Sequence, residues 1–288
     1  MVQLYPPHPA LAPFVLNLVV ANANFPEGVW HHVGARGMPM LIFPFSAPSH
    51  TSLKHGSDGR SYPRPLLDAP AILSANSIYT QCYFEGTVRF VMVILHATGA
   101  SHLLRDTLKG FVNEVHTLED AGIYAPFAEL QERLWDQHES AAAAALVQRY
   151  LLRYFLQRQP HSTHDFTPVI HHMIRTSGMA SVKDLSVKFN CSDRWLEKQC
   201  TEQTGMTPKS WLNIIRFRSM VNNLMRHSSQ NWMDAVERFG YYDQSHMIHQ
   251  FQRFAGLTPA QYFRRFADTE RMLKQHEGGM SGLMSREG

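Results

Sequence analysis

The rhythm of apolar and polar positions changes along the chain. Up to about residue 100 the apolar residues come in short, β-branched runs, at 14–20, 38–45, 71–74, 79–84 and 88–95. Turn chemistry separates them at Pro26-Glu27-Gly28, at Gly34 and Gly37, and in a polar loop over 46–64 that holds the turn signal Ser57-Asp58-Gly59. This spacing predicts a small β-sandwich or barrel, with Pro39 and Pro44 marking an edge strand or a bulge. From 101 to 158 the period becomes helical. A short helix is expected from Ser101. A second starts at Pro126, with Phe127, Leu130 and Leu134 on one face. A third is expected to be N-capped by Ser140, with Leu146, Tyr150 and Tyr154 inward. Residues 166–267 read as helical throughout, opened by a Thr167 cap with Pro168 at the first helical position. The fold class is therefore α+β, a β-rich half with trailing helices followed by an all-α half. The expected divisions are 1–158, a polar linker at 159–165, 166–267, and a flexible tail at 268–288.

Within the all-α half one pattern is written twice. The first copy places Val182, Leu185 and Phe189 on one helical face, then Leu196 and Cys200, then Gly205-Met206-Thr207-Pro208. The second places Trp232, Ala235, Val236 and Phe239, then Met247, Phe251 and Phe254, then Gly256-Leu257-Thr258-Pro259. Each reads as helix, tight turn, helix and stop. Asn190 and Gly240 stand at the turns, where a left-handed backbone favours Gly and, next, Asn. A second helix held by so tight a turn projects an outer face, and an α-helix fits the DNA major groove. The outward residues are Asp193, Arg194, Glu197, Lys198 and Thr201 in copy one, and Gln244, Ser245, Ile248, His249 and Gln252 in copy two. Arg and Lys can grip guanine, Gln can pair with adenine, Ile can touch a thymine methyl, and Glu197 can accept only from a cytosine amine. Residues 208–226 read as one helix between the copies, roughly 28 Å long at 1.5 Å per residue. That is the scale of one turn of DNA, about 34 Å.

Charge supports a polyanionic partner only once the chain is divided. The net charge is +3 over 288 residues. Residues 1–165 carry 11 Lys+Arg against 13 Asp+Glu, whereas residues 166–288 carry 16 against 11. The positive excess lies with the repeat, where Lys and Arg can displace counterions from phosphates. Three cysteines without a CxxC pair argue against a disulfide framework and against a cysteine zinc site. No apolar run reaches the roughly 18 residues of a spanning helix, and the N-terminus lacks a secretory pattern, so a cytoplasmic location is expected.

At these residues a family resemblance enters. Phe239-Gly240-Tyr241-Tyr242-Asp243-Gln244-Ser245, continued through Phe251, Phe254 and Gly256-Leu257-Thr258-Pro259 to Tyr262, resembles the signature of AraC/XylS-type bacterial transcription regulators. The resemblance spans 168–265. It implies a seven-helix domain with two helix-turn-helix motifs joined by a linker helix. It also implies base contacts at Arg194, Glu197, Lys198, Gln244, Ser245, Ile248 and His249. Asn190 and Cys200 depart from the family pattern, which usually has Gly and Phe there. Residues 1–158 resemble the cupin-like N-terminal domains of such regulators, best between Val88 and Asn113. The implied partners are an operator duplex, RNA polymerase, a small effector and a second copy of the chain.

Other constellations are less pointed. His31 and His32, with His8, His50 and His55, suggest a cupin metal site, but adjacent strand residues face opposite ways, so no metal or other cofactor is expected. His246 and His249 have zinc-compatible spacing within a reading helix, and Cys191 lies in a turn as a conceivable redox switch. Trp30, Phe43 and Tyr83, with Tyr79, Cys82 and Phe84, read equally as an apolar ligand pocket or as plain core. There is no catalytic triad, phosphate loop or carboxylate pair, and no enzymatic activity is expected. A cupin-type enzyme with an appended helical domain and a helical protein-interaction module are the alternative readings.

Overall fold

The computed structural model describes residues 2–46, 50–56, 60–61, 68–104, 106, 108–157, 166–226 and 232–264. The expected linker at 159–165, the tail at 268–288 and the turn Ser57-Asp58-Gly59 lie outside the described residues. The N-terminal half is an antiparallel sheet of β1 (Val2–Tyr5), β2 (Val15–Val33), β3 (Met40–Pro44), β4 (His50–His55), β5 (Arg60–Ser61), β6 (Ala71–Leu73), β7 (Thr80–Leu95) and β8 (Val115–Thr117). The order is β1-β2-β7-β3-β6-β8. β4 pairs with the first half of β7 while β3 pairs with its second half.

Two features differ from the sequence reading. Pro26-Glu27-Gly28 does not end a strand. β2 pairs with β7 on both sides of it, from Phe25 opposite Gly86 to Val29 opposite Phe84, so the extra residues form a bulge. Gly28 takes a φ of +71° there, and a Cβ would lie 2.0 Å from the Tyr83 hydroxyl. The polar stretch 46–64 is likewise not one loop, because it contributes β4 and β5. In both cases backbone pairing to a long neighbour outweighs local turn propensity.

Period-two alternation sorts the sheet into two cores. Leu18, Val20, Leu41, Phe43, Val91 and Val93 pack with residues of α2 (Ala128–Trp135) and α3 (Ser140–Leu156). The intervening Val19, Met40, Ile42 and Ile94 join Leu53 and Cys82 in a second cluster. The Tyr154 hydroxyl donates to the carbonyl of Leu103, in α1 (Gly99–Leu104), at 2.7 Å. Ser140 is the first helical residue rather than the cap. Glu139 holds the cap position and makes no side-chain cap bond.

The C-terminal half comprises α4 (Thr167–Arg175), α5 (Val182–Lys188), α6 (Asp193–Thr204), α7 (Pro208–Arg226), α8 (Trp232–Arg238) and α9 (Gln244–Ala255), with residues 259–264 helical as a seventh segment. Thr167 is helical and Phe166, fully buried, takes the cap position. Burial of that ring sets the helix start, where a hydroxyl cap was expected. α7 spans the domain and buries Trp211, Ile214, Phe217 and Met220. Leu185 and Leu196 of the first repeat and Met247 and Phe251 of the second share that core. Each such side chain contributes roughly 1.5–3 kcal/mol by leaving water. Ala35, Ala75 and Ala97 of the N-terminal half belong to the same cluster, so the two halves are packed together. Among the described residues no helix is long and apolar enough to cross a membrane.

Candidate nucleic-acid interface

The first helix-turn-helix is built from α5 and α6. A reciprocal capping box starts α5: the Ser181 hydroxyl accepts from Asp184 N, and the Asp184 carboxylate accepts from Ser181 N, both at 3.0 Å. These bonds hold the Asp184 carboxyl below its ordinary pKa. Asn190 takes a φ of +49° at the turn. Ser192 then caps α6 by accepting from Trp195 N at 3.2 Å. Leu196 and Cys200 are fully buried. The Thr204 hydroxyl donates back to the Cys200 carbonyl at 2.7 Å. Arg194, Glu197 and Lys198 are exposed on the outer face of α6. Lys198 also pairs with Glu202 one turn on, at 3.9 Å.

The second motif, α8 and α9, repeats this plan with one difference. Residues 189–192 separate α5 from α6, whereas 239–243 separate α8 from α9, so the second turn is one residue longer. The surplus places Tyr241 inward, 7 % exposed, and Tyr242 outward, 90 % exposed. Asp243 caps α9, its carboxylate accepting from His246 N at 2.7 Å. Gln244, Ser245 and His249 are exposed along α9, whereas Ile248 is half-buried against the core. The His246 ring lies edge-on to Tyr241, and its Nδ1 accepts from Tyr242 N at 3.4 Å. His246 is thus engaged with the turn.

The spacing did not single out the basic flank of the first motif. His172 on α4 is held below its ordinary pKa, first by burial and then by the charges of Lys188 and Arg175. Burial is the larger cause, and the further lowering by Lys188 and Arg175 shows that their charges are gathered beside the first motif. The signal available in sequence was a basic residue in the last turn of α4 and another in that of α5.

The N-terminal half closes the far ends of both outer helices. The last carbonyls of a helix have no partner within it. Near the end of α6 the Glu202 carbonyl accepts from Leu108 N at 2.7 Å, and near the end of α9 the Phe254 carbonyl accepts from Ala35 N at 2.8 Å. On α7, Trp211 Nε1 donates to the Gly37 carbonyl at 3.1 Å, and Arg218 donates to the Arg36 carbonyl at 3.0 Å. Burial, then the charge of Arg36, lowers the Arg218 pKa to about 10. Gly205 and Gly256, left-handed at the two helix ends, lie against Leu108, Phe111 and Val112 and against the Tyr79 ring respectively.

The three candidate ligand residues are not brought together. Trp30 and Tyr83 are cross-strand neighbours with ring centroids 5.2 Å apart. Phe43 is fully buried in the helix-side core against Phe127, at 5.6 Å. His31 pairs opposite Cys82 and His32 opposite Gln81, on alternate faces of β2, with His32 hydrogen-bonded to Gln81 at 2.6 Å. His8 accepts from Ala10 N at 3.2 Å, and the side chains of His50 and His55 lie outside the described residues. Among the described residues no group of three or more His, Cys, Asp or Glu is placed to hold a metal ion.

Residues 185–265 match the family described as helix-turn-helix domain. The HTH-type transcriptional activator RhaS of Klebsiella pneumoniae (strain 342) is 34 % identical over 77 residues, which cover 27 % of this chain and 27 % of RhaS. RhaS of Citrobacter koseri is 35 % identical over 77 residues, with the same shares of each chain. The match thus spans about a quarter of the length of these curated relatives. Among solved structures, ToxT from Vibrio cholerae aligns over 85 % of this chain and 96 % of ToxT, at 12 % identity and a TM-score of 0.45. That likeness is too low to bear on fold or function.

Proposed function

We propose that this chain, whose C-terminal half is a double helix-turn-helix domain of the AraC/XylS type, is a sequence-specific DNA-binding transcription regulator. The observation that carries the reading is the arrangement of α6 and α9. Each is the second helix of a capped helix-turn-helix, each keeps a polar outer face in water, and α7 joins them through a single core. At roughly 28 Å, α7 has the length to set two reading helices into successive major grooves on one face of a duplex. Arg194, Glu197 and Lys198 then meet one half-site, and Gln244, Ser245, Ile248 and His249 the other. The Lys198–Glu202 pair is exposed and exchangeable, so Lys198 can leave it for a phosphate or a guanine. Arg175 and Lys188 supply phosphate contacts beside the first motif.

The N-terminal half biases this reading, through an effector or a second copy of the chain. What supports a regulatory role is its grip on α6, α7 and α9, since a shift of the segment around Leu108 reaches α6 and a shift of the segment around Ala35 reaches α9. An effector acts only as far as it binds the two arrangements unequally. RNA polymerase is the partner through which such a regulator would change transcription.

The test is selection of bound sequences from a random duplex pool by the full chain. Two enriched half-sites about 10 base pairs apart are expected. No enrichment at moderate salt would overturn the reading. On the selected site, Gln244→Ala should relax preference at one position of one half-site. Uniform weakening on all sequences would move Gln244 to a backbone contact.

A further inference from the structure

The two reading helices are not approached in the same way. The turn before α9 is one residue longer than the turn before α6, and the surplus residue is a tyrosine standing 90 % clear of the protein. Elsewhere in that turn the side chains are engaged. Tyr241 is buried, Asp243 caps α9, and His246 accepts from the Tyr242 amide. These contacts fix the backbone on both sides of Tyr242, so its ring leaves the surface from a rigid base. It emerges just ahead of Gln244 and Ser245, at the end of α9 that would enter a groove first. A protein gains nothing in water by presenting an aromatic ring this way. Tyrosine is, however, well suited to contact, because it offers a large face and a hydroxyl at the cost of ordering only two torsions. The end of α9 also lacks a ready anion site, because the Asp243 carboxylate occupies it. In the first motif Ser192 directly follows half-buried Cys191, and no residue corresponds to Tyr242.

We infer that Tyr242 is a positioning residue for the second half-site, its hydroxyl donating a hydrogen bond to a backbone phosphate beside the groove that α9 enters. This rests on the DNA-binding reading above and adds a named contact to it. A hydroxyl donor is neutral. It fixes register and orientation without displacing a counterion, unlike Lys or Arg. The second motif then docks with a rigid neutral anchor, whereas the first relies on Arg175 and Lys188.

The experiment measures binding of the full chain and of Tyr242→Phe and Tyr242→Ala to the selected duplex and to single-base variants of it, over a range of KCl. Both substitutions should weaken binding about tenfold, the scale of one hydrogen bond to a charged acceptor. The loss should be equal on all the duplexes, with the slope of log affinity against log salt unchanged. Wild-type affinity in Tyr242→Ala would overturn the inference, as would a loss confined to one base pair. Loss in Tyr242→Ala but not in Tyr242→Phe would overturn the phosphate hydrogen bond by assigning the contact to the ring. A wild-type protein that selects no duplex would overturn the regulator reading and this inference with it. Wild-type selection with unaffected variants would overturn this inference alone.

Discussion

Gly205 and Gly240 offer a controlled pair for testing whether the N-terminal half is locked onto the first reading helix. Both are left-handed, with φ of +79° and +62°. Alanine at either position costs roughly 1–2 kcal/mol for a Cβ in that region. They differ in what the Cβ would meet. At Gly240 nothing lies within 4 Å. At Gly205 the Cβ would lie 2.8 Å from Val112 Cγ2 and 2.9 Å from the carbonyl oxygens of Leu108 and Phe111. The valine methyl can turn aside, but two main-chain carbonyls cannot move without the segment that carries them. That segment is held by the Leu108 N to Glu202 carbonyl bond. Overpacking of this kind adds typically about 1–3 kcal/mol. Gly205→Ala should therefore cost about 2–5 kcal/mol and Gly240→Ala about 1–2. Urea unfolding gives the two losses, and amide hydrogen exchange at Leu108 reports the contact itself. Exchange there should speed up in Gly205→Ala and not in Gly240→Ala. Equal losses for the two variants, or a larger loss in Gly205→Ala with exchange at Leu108 unchanged, would refute the reasoning.

Trp211→Phe keeps a smaller aromatic ring at the buried position but leaves the Gly37 carbonyl without its indole donor, which by itself should cost roughly 1–3 kcal/mol in urea unfolding. Burial pushes the Cys82 and Cys200 thiols up to about 12, so at pH 8 neither should react with a disulfide reagent in the native protein. Half-buried Cys191 is then the only candidate for native labelling, and all three thiols should titrate in denaturant. The Asp184 carboxyl is held below its ordinary value by the Ser181 hydroxyl and amide. Its contribution is complete above the ordinary carboxylate range and is lost as pH falls through the lowered folded value. Asp184→Asn should therefore shift the urea midpoint downward at pH 6, and the gap to wild type should narrow on acidification. A constant gap would remove the capping explanation.

The repeat was legible in the chain because its chemistry is local. Apolar spacing at Val182, Leu185 and Phe189, Ser192 as a cap, and Gly-x-Thr-Pro stops at Gly205 and Gly256 each act within a few residues, and α7 begins at Pro208 as its sequence implies. The sequence also held the unequal turns. Phe189 and Phe239 are 50 apart, whereas Gly205 and Gly256 are 51 apart, so one residue had entered between them. What that residue does depends on which of Tyr241 and Tyr242 faces the core, and only packing decides that. Position along the chain likewise could not tell that Pro26-Glu27-Gly28 is a bulge, or that Phe43 belongs to the helix-side core away from Trp30 and Tyr83. Those outcomes follow from pairing with β7, roughly fifty to sixty residues away. The union of the two halves is furthest from local rules. Ala35 and Leu108 complete the ends of α9 and α6 through main-chain hydrogen bonds, which carry no side-chain signature. Sequence by itself determined the helices and the faces they offer. Tertiary structure decided what holds those faces in place, because backbone groups pair by proximity in space and every residue type except proline supplies both donor and acceptor.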